Sequence, residues 1–449
     1  MKIIIAGAGE VGFHLAKLLS YESQDITLID PVKEHLHYAD THLDIRAVRG
    51  DATSIQILRD SRINEADLVI SVTSSETTNI TVCVLAKQLG AKRTIARITN
   101  TEFIDYQHEI GFEKFGIDEL ISPESLASKE IELLLSQSAF NDSYEFEEGA
   151  LTMVGVSLQR TAQFVGKTVQ EAGEIFPEVH FMPIAIQRFG TQYTLIPRGD
   201  TQFKEGDQVY FITTTDGVDE LYKLTGKTKH HMRNVMILGG SNIGKQTALH
   251  LSQAGINVKL IEQDADKAFD LADQLSGVLV INGDGRNVEL LDEESIHEMD
   301  AFISVTGNSE TNILSCLMAR SKSVNKTIAL VENMDYFQLS HSIGIDTLIN
   351  KKLLAANNIF RYVRKGEVVA MTKLNNMNAE LLEFIVKPSS AMCNKHVKDI
   401  DIPRSAIIGG VIRDGVGNIV LGSFKVMAGD RVVICCLPRS INKVEKLFV

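Results

Sequence analysis

Three glycines near the start of the chain, in Gly7-Ala8-Gly9-Glu10-Val11-Gly12, stand at the spacing of a phosphate-binding turn. The apolar run Lys2 to Ala6 precedes them and a helical pattern follows, so the turn joins a strand to a helix. In that setting Gly7 allows the tight turn, Gly9 lets the backbone approach a pyrophosphate, and Gly12 lets the helix pack closely on the strand. The first N–H groups of the helix and the positive end of its dipole then face the phosphates. Asp30 closes the next strand, near the ~20-residue distance at which an acidic side chain accepts hydrogen bonds from adenosine ribose hydroxyls and repels a 2′-phosphate. The set predicts a site for NAD or NADH; a Rossmann-like scaffold without ligand is the competing reading.

Other strand ends point to the same crevice. Asp51 follows the third strand, Thr73 and Ser74 the fourth, and Arg97 with Ile98 the fifth, where the arginine could neutralise phosphate charge. Strand-end Asp and Thr are also common turn-makers, and a strand-end Arg is often merely solvated. A second set recurs later as Gly239-Gly240-Ser241-Asn242-Ile243-Gly244, with Glu262, Asp284 and Thr306 at the places of Asp30, Asp51 and Thr73. There Ser241 replaces Gly9 and Leu330 replaces Arg97. A hydroxyl can bond a phosphate, but its Cβ limits backbone approach and a counter-charge is lost, so the second site is expected to be weaker or differently selective, with a vestigial site as the alternative.

The elements that must position these residues also come twice. Ile70-Ser71-Val72-Thr73 reappears as Ile303-Ser304-Val305-Thr306, and Thr94-Ile95-Ala96 as Thr327-Ile328-Ala329, in the same order and at a nearly constant spacing. Six short strands are predicted in the first half: Lys2-Ala6, Asp25-Ile29, Arg46-Arg49, Leu68-Val72, Arg93-Arg97 and Glu119-Ile121. Continuous apolar strands alternating with helices give an α/β fold, a Rossmann-like doubly wound parallel sheet covered on both faces. A long helix over Glu124 to Phe140 follows, then a β-rich stretch from about Tyr144 to Thr215 with turns at Glu205-Gly206-Asp207 and elsewhere. The second half repeats this change, with a helix over Lys351 to Arg364 and the turn Ala428-Gly429-Asp430. The expected layout is therefore two tandem Rossmann-like lobes, residues 1–140 and 230–365, each followed by a small β-rich α+β lobe, residues 141–229 and 366–449, with a linker at about 226–233.

At 449 residues the chain exceeds one core, and 44% hydrophobic with 23% charged residues is an ordinary globular balance. No apolar stretch approaches the ~18 residues of a spanning helix, and the opening apolar run is too short for a signal peptide, so a cytoplasmic location is expected. A net charge of −13 argues against nucleic acid as partner. Five cysteines without a CxxC pair read as buried thiols, and the twelve histidines show no metal spacing. No GxSxG or GxxxxGK[ST] motif supports acyl or phosphoryl chemistry.

A dinucleotide fold serves both dehydrogenases and sensors. A dehydrogenase needs a further domain carrying a catalytic acid or base, and only small β-rich lobes follow each sheet here. The segments KIIIAGAGEVGFHLAKLL, LID ending at Asp30, RGDAT, ISVTSSETTNI and TIARI, with LGGSNIG, LIE and NGDG in the second copy, resemble the tandem RCK or KTN domains of the peripheral subunits of Trk-type potassium-uptake systems. FVGKTVQE and EGDQVYFI resemble that family's small lobes. The resemblance implies a non-enzymatic regulatory protein at the inner face of the membrane, assembled as a dimer or tetramer beneath an integral-membrane potassium-conducting subunit. It further implies that NAD or NADH, and also ATP or ADP, shift the lobes and gate that subunit. A soluble NAD-dependent oxidoreductase and a purely structural adaptor are the alternatives.

Overall fold

The computed structural model describes residues 1–20, 24–136, 142–147, 149–177, 180–191, 193–226, 232–333, 336, 345, 347–363, 368–374 and 377–448. The expected linker at 226–233, residues 137–140 of the expected long helix, and Arg364 lie wholly or partly outside the described residues.

The first sheet holds β1 (Lys2–Ala6), β2 (Asp25–Asp30), β3 (Arg46–Arg49), β4 (Leu68–Ser71), β5 (Thr94–Arg97) and β6 (Glu119–Ile121). Its order is β3-β2-β1-β4-β5-β6, all parallel. Ile3, Ile4 and Ile5 of β1 and Val69 and Ile70 of β4 are fully buried, as strands covered on both faces require. The predicted strands differ only at their ends. Asp30 is part of β2, and β4 stops at Ser71 because the Thr73 N–H is taken by a side chain rather than by the ladder.

Five strands follow: β7 (Asp142–Phe146), β8 (Leu151–Ser157), β9 (Phe181–Gln187), β10 (Thr194–Leu195) and β11 (Gln208–Thr214), in the antiparallel order β10-β9-β11-β8-β7. The second half repeats the parallel sheet as β14-β13-β12-β15-β16-β17, from β12 (Asn234–Leu238), β13 (Asn257–Glu262), β14 (Val278–Asn282), β15 (Ala301–Ser304), β16 (Lys326–Leu330) and β17 (Thr347–Ile349). It ends with β18 (Val368–Lys373), β19 (Glu380–Ile385), β20 (Ala406–Arg413), β21 (Val416–Asn418) and β22 (Arg431–Cys436), ordered β18-β19-β22-β20-β21.

Contacts divide the chain into two units that do not follow the sequence repeat. One contains Met1–Ser128 and Asn350–Val363; the other contains Lys129–Ile349 and Arg364–Val449. In the first unit, the helix Lys351–Phe360 packs on the helix Glu10–Ser20 and buries Ala355, Ala356, Ile359 and Phe360. In the second, the two antiparallel sheets share one core, in which Met153, Ile184 and Ile212 meet Leu381, Ile412 and Val433. A Cβ on Gly409 would come within 2.7 Å of Ile212, so the contact depends on a residue without a side chain. Among the described residues no helix is long and apolar enough to cross a membrane.

Candidate functional site

The glycine turn is built as its spacing predicts. Gly7 has φ +103°, and a Cβ there would lie 2.9 Å from the Thr73 backbone nitrogen. A Cβ on Gly12 would strike the Gly7 carbonyl oxygen at 1.8 Å. By contrast, a Cβ on Gly9 would meet no atom within 4 Å, so that glycine leaves the backbone approachable instead of filling a contact. Ala8 and Val11 are buried, whereas Glu10 opens the helix and is exposed.

Asp30 braces the turn. Its Oδ2 accepts from Ala8 N at 2.7 Å and its Oδ1 from Val32 N at 2.8 Å, with His35 Nδ1 3.3 Å from Oδ1. The side chain expected to meet a ribose is thus first a brace between β2 and the glycine turn, and an exposed imidazole stands next to it.

Asn79 was not among the expected site residues. It is buried on the helix Glu76–Gln88, and its Oδ1 accepts from Ser71 Oγ, Thr73 N and Thr73 Oγ1 at 3.0, 2.8 and 2.7 Å. Its Nδ2 donates to Thr73 O and Arg97 O at 3.1 and 2.9 Å, tying the ends of β4 and β5 together. Asn312 does the same for Ser304, Thr306 and Leu330 in the second half. The recurrence of Asn79 as Asn312 in the repeat was the signal available in the sequence.

The remaining residues divide between rim and core. Asp51 is exposed, and hydrogen bonds from the Thr53 N–H and then its hydroxyl hold the carboxyl below its usual range. Ser74 is exposed, while Ile98 is fully buried in the core cluster with Cys83 and Ile117, so its side chain packs the scaffold. Arg97 Nη2 lies 3.8 Å from Glu124 Oε1, and neither Arg97 Nε nor Glu124 Oε2, both buried, has a hydrogen-bond partner among the described residues.

The second crevice copies the brace but not the opening. Gly239 has φ +106°, and a Cβ on Gly244 would meet the Gly239 oxygen at 2.0 Å. Glu262 accepts from Gly240 N at 2.9 Å and Asp264 N at 3.0 Å, and pairs with Lys267 at 3.0 Å. Burial pushes this carboxyl up, but the bonds from Asp264, Lys267 and Gly240 outweigh it and the net shift is downward. The Ser241 hydroxyl donates to Val305 O at 2.8 Å and accepts from Gly244 N at 3.3 Å, capping the helix Asn242–Gln253. That hydroxyl is already committed, and it consumes an N–H of the helix start. Ile243 is buried, Thr306 bonds Asn312, and Asp284 is lowered mainly by its side-chain bond with Arg286. Among the described residues no three His, Cys, Asp or Glu side chains come together as a metal site.

The TrkA-N domain family matches residues 3–123 and 235–351, and the TrkA-C domain family matches 153–226 and 381–449. The chain is 32% identical to the Trk system potassium uptake protein TrkA of Halomonas elongata over 453 residues, covering 100% of this chain and 98% of that one. It is 31% identical to the protein of the same name from Haemophilus influenzae over 454 residues, with the same coverage. The fold is shared with the GsuK RCK domain at a TM-score of 0.62 and 16% identity, covering 100% of this chain and 94% of that one. It is shared equally, at 0.62 and 16%, with the GsuK channel bound to NAD, covering 99% of this chain and 78% of that one. The Halomonas elongata and Haemophilus influenzae relatives are named for potassium uptake and not for a reaction.

Proposed function

This chain belongs to the TrkA family of Trk-system potassium uptake proteins, a non-enzymatic regulatory family, and from that premise we propose that it senses nucleotides for a membrane potassium-conducting partner. The four lobes, residues 1–140, 141–229, 230–365 and 366–449, form the working assembly. The first crevice is the principal site: the N–H groups of Gly7 to Gly12 receive the phosphates, Asp30 the ribose, and Thr73, Ser74, Asp51 and Arg97 the rim. NAD or NADH, and ATP or ADP, are its ligands. The second crevice, around Gly239 to Gly244, Glu262, Asp284 and Thr306, binds more weakly.

The observation that carries this reading is the contrast between Gly9, beside which a Cβ would meet nothing, and Ser241, whose hydroxyl is bonded on both sides. A bound nucleotide moves the lobes only by the free energy with which it prefers one arrangement over the other. The chain works at the cytoplasmic face of the membrane as an oligomer, and that preference gates its partner. Calorimetric titration of the full chain with NADH, NAD, NADP, ATP and ADP tests the site. Binding is expected for the dinucleotides that lack a 2′-phosphate and for the adenine nucleotides, with affinity reduced roughly tenfold or more in Asp30→Ala, which unbraces the turn and removes the ribose acceptor. An intact chain that binds none of them rules the reading out.

A further inference from the structure

The two copies of the parallel sheet end on different edges. β3 closes the first as Arg46-Ala47-Val48-Arg49, with Arg46 Nη2 donating to Asp60 O at 3.1 Å and Arg49 Nε to Pro31 O at 3.4 Å. Charged side chains on an edge strand keep other strands from adding to it. β14 closes the second as Val278-Leu279-Val280-Ile281-Asn282, which carries no charge, and no described strand lies beyond it. The Gly283 N–H donates inward to Glu262 O at 2.9 Å. Main-chain groups of successive strand residues face alternate sides, so the N–H and C=O of Val280 face outward, away from β13. Leu279 is 54% exposed, and Phe269, on the helix Ala265–Gln274 that packs on β14, is 77% exposed.

Around this apolar edge the charge is one-sided. Asp266, Asp270 and Asp273 recur at i, i+4 and i+7 along that helix, and Glu289 and Glu293 stand on the helix Val288–Glu293 that follows β14. All five are exposed, and none is in an ion pair among the described residues. Residues 264–294 hold nine Asp or Glu against two Lys or Arg, whereas the matching residues 32–61 hold five against four. A strand that adds here must therefore be basic. A second copy of the same edge would set acid against acid.

The cytoplasmic loops of membrane proteins carry an excess of Lys and Arg. We propose that β14 takes up an extended, basic segment from the cytoplasmic face of the membrane partner as a further strand of the second parallel sheet. Its main chain bonds the outward groups of Val280, and its side chains meet Phe269, Leu279 and the surrounding carboxylates. Assigning the segment to the membrane partner rests on the proposed function; the acceptance of a basic strand does not.

The test measures fluorescence anisotropy of the labelled peptide Lys-Val-Lys-Val-Lys-Val-Lys, and of its counterpart with Glu in place of Lys, titrated with the full chain. The basic peptide should bind and the acidic one should not, with affinity falling as salt rises. Val280→Pro removes an outward N–H that the fold does not use, a place where an edge strand tolerates proline, and should weaken binding roughly tenfold. Replacing Asp266, Asp270 and Asp273 together by Asn should weaken binding severalfold and flatten its salt dependence. If Val280→Pro fails to fold, hydrogen exchange on the intact chain decides instead: the basic peptide should slow exchange across residues 278–282. Three results overturn the proposal: no binding of the basic peptide, equal binding by Val280→Pro, or unchanged exchange across residues 278–282 when the peptide is bound. Sedimentation velocity supplies a fourth, because an oligomer of the intact chain that dissociates in Val280→Pro makes a second copy the occupant of this edge. A chain that binds nucleotides but not the basic peptide overturns this inference alone, whereas one that binds the peptide but no nucleotide keeps the strand-accepting edge and loses the sensing role.

Discussion

At the scale of single residues, one hydroxyl separates the two crevices. Ser241 caps its helix by accepting from Gly244 N and bonds Val305 O, while Gly9 at the matching place has no side chain to do either. Replacing an N-cap serine by glycine costs only a few tenths of a kcal/mol, so Ser241→Gly should fold. It frees the Gly244 N–H, and the expected result is that the affinity of the weaker second site, measured by calorimetry, rises severalfold, while staying below that of the first for want of an arginine where Leu330 stands. The substitution itself was legible in the sequence, since it breaks a known motif. What was not legible was where the hydroxyl would go, because that depends on the Val305 carbonyl, far away in the chain. Ile98 shows the opposite case: next to Arg97 it reads as a rim residue, but strand alternation turns it into the core.

At the scale of elements, polar side chains fasten strand ends to helix starts. Glu76, at the start of the helix Glu76–Gln88, accepts from Thr99 N, Thr99 Oγ1 and Asn100 N with one carboxylate oxygen, at 3.0, 2.9 and 2.9 Å. The backbone bonds from Asn100 and then Thr99 hold its carboxyl below the usual range. A depressed folded-state pKa adds stability that is present above the unfolded value of about 4.3 and is lost as pH falls through the lower folded value. Thermal melts between pH 7 and pH 3 should therefore show a shallower acid decline in Glu76→Gln than in the intact chain. The strands were readable because buried parallel strands are continuous apolar runs. The turns Glu205-Gly206-Asp207 and Ala428-Gly429-Asp430 were readable too, but not the arginines that lock them. Arg188 pairs with Asp207, and Arg413 Nε with Asp430 Oδ1 at 2.7 Å, each arginine also donating to a backbone carbonyl of its own lobe. Such pairings follow register across a sheet, which spacing along one strand does not encode.

At the scale of the whole molecule, sequence halves and contact units are different divisions. The repeat suggests two equivalent halves, yet the helix Lys351–Phe360 is counted with the first sheet. Its apolar positions fit any parallel-sheet helix, so periodicity could not say which sheet it would cover. Phe360 is 3% exposed, and Phe360→Ala should destabilise the first unit by about 3–5 kcal/mol, read as a lower melting temperature of the full chain. That seat also sets a clock on synthesis. The first parallel sheet leaves the ribosome complete at Ile121, but the helix that covers Glu10–Ser20 begins only at Lys351. At translation rates of roughly 5–20 residues per second, the nascent chain waits on the order of ten to fifty seconds with an apolar helix face uncovered.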